Sequence, residues 1–290
     1  MRGAIVVGVD RSIAGQQAVT WAADEAALQR RRLVLAHATG SLGTTGTVWL
    51  DSMDSDITPA LQDMRAEGLA LVSAAPHEIR SHHPELEIEL AVEPDDAGPA
   101  LRALADQAHL LVVGSRGRGL LRHLPTWQVG ARVARSSRCP VAVVPEHDLA
   151  DARRGVLVGA DLSERSASVL HFAYEFASRH NLPLTVAHLA RERRESSLDD
   201  AKRLLTESVS GFAERHPDVP MHLSVKHGSP TLGLLAQADT MDVLVLGQHH
   251  ALGTYESPVR HVHTSIVDRA TCPVVVVPQT ETRATRKDLR

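Results

Sequence analysis

The chain has 290 residues, 43% hydrophobic and 23% charged, with 31 basic side chains against 35 acidic ones and a formal charge of −4. That length suits one large domain or two ordinary ones, and the composition is that of a globular protein with a buried core. The acidic balance and the lack of a basic stripe exclude a nucleic-acid binder, which must neutralise phosphates with clustered Lys and Arg, and no apolar run reaches the roughly 18 residues that span a bilayer.

The opening MRGAIVVGVD enters a strand at once, which leaves no room for a signal peptide. Ala4 to Val9 is a short, nearly all-apolar run, as in a strand covered on both faces. Helical spacing follows from about Ile13 to Gln29, and Leu33 to Ala38 reads as the next strand. A polar stretch rich in Gly, Thr and Ser, Thr39 to Thr58, reads as a loop. A helix from about Ala60 to Arg80 is expected to break or kink at Pro76. A strand near Leu86–Val92, a helix near Pro99–Gln107, a strand at Leu110–Gly114, a helix starting near Pro125 and a strand at Val141–Val144 complete the series. Strands near 156–160, 184–189, 221–225, 243–247 and 274–277 then repeat it.

The repetition is in register. Val6-Val7-Gly8-Val9-Asp10 sets against Leu157-Val158-Gly159-Ala160-Asp161, without a gap from Ser12/Ser163 to His37/His188. A second ungapped block pairs Leu111-Val112-Val113-Gly114 with Leu244-Val245-Leu246-Gly247 and runs to Cys139/Cys272. The offsets differ, so the first copy carries extra residues, placed in the Thr39–Thr58 loop. Alternating strands and helices predict α/β architecture: two tandem domains, residues 1–147 and 154–280, each a five-stranded parallel, doubly wound sheet with helices on both faces.

In such sheets ligands bind outside the carboxyl ends of strands, where the order reverses. The first strand delivers Gly8, Val9 and the carboxylate of Asp10 to that rim. The fourth delivers Val113 and Gly114, then Ser115-Arg116-Gly117-Arg118-Gly119. Glycines let backbone N–H groups approach an anion, and Arg116, Arg118 and Arg122 raise the local potential. Each signal also has a plainer reading: the aspartate as a turn or helix-cap residue, the glycines as a loop. Neither a P-loop nor a GxGxxG fingerprint is present. Cys139 and Cys272, the only cysteines, cannot build a disulfide framework or a four-cysteine zinc site, which fits a reducing cytoplasm. Both read as small buried residues, and His37 and His188 as hydrogen-bonded packing residues. His249, His250, His261 and His263 read as solvated rather than as a metal site.

The VVGVD-S opening, LAHA, LLVVGSRGRG and CPVAVVP resemble the universal stress protein family, once per copy, in its tandem form. The resemblance implies strand order 3-2-1-4-5 and pairing of the two domains through their last strands. It also implies a homodimer and ATP or another adenine nucleotide as ligand. Asp10 and Asp161 match the carboxylate near the adenine, and Ala38 the position whose backbone faces the base. Gly114 and Gly117 match the first two glycines of the phosphate element G-x-x-G-x(9)-G-[ST]. Where that element requires Gly-Ser, this chain has Trp127-Gln128; in the second copy Gly247 matches, but His250 and Arg260-His261 replace the rest. A bare position and a hydroxyl are thereby lost, so the first copy is expected to keep more of the site than the second. No general base with a partner stands out, so an enzyme, such as a related adenine-nucleotide α-hydrolase, is the weakest reading. The rival is a nucleotide-independent interaction module.

Overall fold

The computed structural model describes residues 2–40, 58–115, 129–146, 154–163, 165–190, 198–248 and 265–279. The chain divides into two compact units, Met1–His147 and Asp148–Arg290.

In the first unit the elements are β1 (Ile5–Gly8), α1 (Ile13–Leu28), β2 (Leu33–Ala38), α2 (Thr58–His82) and β3 (Ile88–Glu93). They are followed by α3 (Ala97–Ala105), β4 (Leu110–Gly114), α4 (Val129–Ala134) and β5 (Val141–Val144). All pairings are parallel, in the order β3-β2-β1-β4-β5. Ile5, Val6 and Val7 are each wholly buried, although successive strand residues point to opposite faces, so both faces of β1 are covered. Gly8 and Val113 face Leu101 of α3 and Gly130 of α4, whereas Gly114 faces the first turn of α1. The helices therefore lie on both faces.

Helix α1 begins where Ser12 accepts a hydrogen bond on its Oγ from the Gly15 N–H, 2.9 Å away, a standard N-cap. Helix α2 does not break: it runs through Pro76. Proline there removes one backbone bond, but Val72 and Ile79 on either side are buried, as is Pro76 itself, and this packing holds the helix to the sheet.

The second unit contains β6 (Val156–Gly159), α5 (Ser166–His180), β7 (Leu184–Ala190), α6 (Leu198–Arg215) and β8 (Met221–His227). Then come α7 (Pro230–Ala238), β9 (Val243–Gly247) and β10 (Val274–Val277). Its order is β8-β7-β6-β9-β10, again parallel. The registers duplicate those of the first unit. Ile5 pairs with Leu33 as Val156 pairs with Leu184, and Leu111 pairs with Val141 as Leu244 pairs with Val274. Helices α2 and α6 end at matched positions, His82 and Arg215, but have 25 and 18 residues.

Candidate functional site

Strands β1 and β4 are neighbours, Ile5 pairing with Leu110 and Val7 with Val112. Their carboxyl ends, Gly8-Val9-Asp10 and Gly114-Ser115, therefore emerge side by side. From β1 the chain crosses to β2 on one side, and from β4 to β5 on the other, which makes this outlet the reversal point of the sheet.

Each residue of the rim has a local partner. The Val9 N–H donates to Ala36 O at 2.7 Å. His37 Nδ1 donates back to Val9 O at 2.8 Å; a carbonyl can only accept, so this nitrogen carries the proton. Beside it, Ala38 pairs with Glu93, and the chain leaves β2 through a Gly40 N–H donating to Asp95 O. Asp10 Oδ1 accepts from the Ser12 N–H at 2.9 Å and from the Ser12 hydroxyl. The carboxylate is thus tied to the residue that caps α1.

The glycines differ in what they are for. A Cβ on Gly8 would make only ordinary contacts with Leu101 and Val113, at 3.5 Å. On Gly114 it would stand 2.6 Å from Ala14 C, 2.7 Å from the Gly15 nitrogen and 2.8 Å from Ala14 O. All three are backbone atoms that cannot turn away, so glycine is obligatory there for α1 to lie against β4, whatever the ligand. Val113 is buried with its side chain against Gly130, and Ser115 extends the ladder by donating to Val144 O. Arg116, Gly117, Gln128 and their neighbours Arg118, Gly119, Arg122 and Trp127 lie outside the described residues.

The second rim repeats the plan with altered parts. His188 Nδ1 donates to Ala160 O at 2.9 Å. Asp161 Oδ1 accepts from the Ser163 N–H at 3.0 Å, the Ser163 hydroxyl at 2.6 Å and the Ser166 hydroxyl. At Gly247 the place of a Cβ is filled by the side-chain amide of Gln279, with Val169 2.9 Å away. His249, His250, Arg260, His261 and His263 lie outside the described residues. Among the described residues no group of three His, Cys, Asp or Glu is placed to hold a metal ion. Cys139 and Cys272 are buried and form no disulfide; burial pushes the Cys139 thiol above its ordinary value. None of the helices among the described residues is long and apolar enough to cross a membrane.

Sequence reasoning singled out Asp10, Asp161, the strand ends and the two histidines, but not Gly15 and Ser166, which the structure sets against the two aspartates. Nothing in the sequence marked them: the two copies differ at most positions of this in-register block, Gly15 and Ser166 among them.

The family model for the universal stress protein family matches residues 1–145 and 152–278. A universal stress protein of Mycolicibacterium smegmatis is 27% identical over 290 residues, covering 94% of this chain and 96% of its own. One of Mycobacterium tuberculosis is 28% identical over 295 residues, covering 96% and 97%. Among solved structures, a universal stress protein of Archaeoglobus fulgidus matches with a TM-score of 0.71 at 17% identity, over 96% of this chain and 97% of that one. That last match is a likeness of fold.

Proposed function

Because this chain belongs to the universal stress protein family in both of its copies, we propose that it is a stress-response regulatory protein binding ATP or another adenine nucleotide in its first domain, residues 1–147. The observation that supports this reading is the adjacency of β1 and β4, whose carboxyl ends carry Asp10 and the glycine-bearing exit of β4 out side by side. There Asp10 takes the base or ribose end, with the backbone around Gly8, Val9 and Ala38 beside it. The segment after Gly114, through Arg116 and Gly117, takes the phosphates. The second domain keeps Asp161 and Gly247 but not the later elements, and is the weaker site. On this reading the protein acts by binding and not by catalysis, since its sequence offers no general base with a partner. A homodimer in the cytoplasm completes the proposal.

A second reading has its own support. Gly114 is required by the packing of α1, and Asp10 is engaged with Ser12, so both have structural reasons to be present. On that reading the chain is a scaffold acting through protein partners without nucleotide. Denaturing the purified protein and identifying released small molecules by mass spectrometry separates the two. An adenine nucleotide in near-stoichiometric amount supports the first; none released, with no heat of binding on titrating ATP, supports the second.

A further inference from the structure

Asp10 and Asp161 occupy matched positions after matched strands and take the same two bonds, from Ser12 and from Ser163, yet the two carboxylates meet different residues at the first helical turn. In the first unit, five residues on, stands Gly15. A Cβ placed there would collide with Asp10 Oδ1, so the carboxylate occupies space that a side chain would take, against the first turn of α1, and Asp10 is half-buried. In the second unit the matched residue is Ser166, itself buried. Its hydroxyl donates to Asp161 Oδ1, and Asp161 is exposed. The backbone between follows suit: Leu162 is left-handed at φ +61, a conformation its counterpart Arg11 does not adopt. The helices start differently too, α1 at Ile13 and α5 only at Ser166.

We propose that Gly15 is a positioning residue that withdraws the Asp10 carboxylate from the β1/β4 crevice into the turn of α1, so that a nucleotide must draw it out before using it. This rests on the nucleotide reading of the first domain. Affinity is then reduced by the fraction of time the carboxylate spends in the crevice. Ser166 does the opposite in the second unit: it fills the turn and keeps its carboxylate outside, where the lost phosphate element leaves it little to bind.

The test is G15S, which gives the first unit the residue of the second, in a chain also carrying D161N to silence the other carboxylate. Titration calorimetry with ATP is expected to show binding about tenfold tighter than in D161N alone. Adding D10N is expected to abolish the gain, which a mere change in helix stability would survive. Unchanged or weaker binding, or a gain that persists with D10N, overturns the proposal. A nucleotide-free crystal structure of G15S is expected to show the Asp10 carboxylate displaced from the α1 turn; a carboxylate left in place overturns it equally. If neither D161N nor the G15S variant binds ATP, the nucleotide reading fails, and the crystal structure alone decides the role of Gly15. Should G15S not fold, S166G is read instead: Asp161 is expected to sink into the first turn of α5, and an unmoved carboxylate is contrary.

Discussion

The two rims of this molecule share register, strand order and histidine clamp, but differ in how the first helix meets the sheet. In the first unit Gly114 lets the backbone of Ala14 and Gly15 lie against β4. In the second, the matched Gly247 faces the amide of Gln279 and the side chain of Val169. The same residue type at the same strand position is therefore demanded by rigid backbone in one copy and by movable side chains in the other. A duplicated glycine shows common descent of the fold, not common use.

The largest expected effect breaks this comparison if it is absent. Gly114→Ala should cost about 3 kcal/mol, because the added methyl meets backbone atoms, while Gly247→Ala should cost about 1 kcal/mol as Gln279 swings aside. Chemical denaturation of both variants checks the difference; equal costs would contradict it. Next come the histidines. His188→Leu should cost about 2 kcal/mol by leaving the Ala160 carbonyl unpaired, and His37→Leu less, since His37 is only half-buried and water can replace it. Replacing Trp127-Gln128 by Gly-Ser should tighten ATP binding about tenfold, in line with one recovered hydrogen bond; unchanged affinity would mean that these residues do not crowd the phosphates.

The smallest effect lies within α5. Tyr174 is wholly buried, stacked on Phe212 and His216, and among the described residues its hydroxyl has no hydrogen-bond partner. Tyr174→Phe should stabilise by about 0.5 kcal/mol. Burial raises the folded pKa of Tyr174 above its ordinary 10.0 and that of Cys139 above its ordinary 9.0. The unfolded chain then loses these protons first, so stability is full below about pH 9 and falls as pH rises beyond it. Tyr174→Phe combined with Cys139→Ala should flatten that alkaline decline in a pH series of unfolding midpoints.

The duplication, the strand cores and the reversal point were legible because apolar runs such as Ile5–Val7 and Val141–Val144 are local signals, and because two copies in register check one another. The route of α2 through Pro76 was not legible. Local chemistry predicts a break or a kink there; the helix is continuous, with Val72 and Ile79 buried on either side of the proline. Nor was the true demand on Gly114, since the atoms it must avoid lie about a hundred residues earlier in the chain. Asp10 reads from the sequence as a rim carboxylate or, in the plainer alternative, as a turn residue. The structure gives it the turn bonds, and Gly15 explains why it fits so closely.

A crystal structure of the wild-type chain grown with ATP measures the central proposal directly. Nucleotide density is expected in the first domain, between the ends of β1 and β4, with the Asp10 carboxylate drawn out of the α1 turn toward the base or ribose. An empty crevice at saturating ATP, or nucleotide seated only in the second domain, would contradict it.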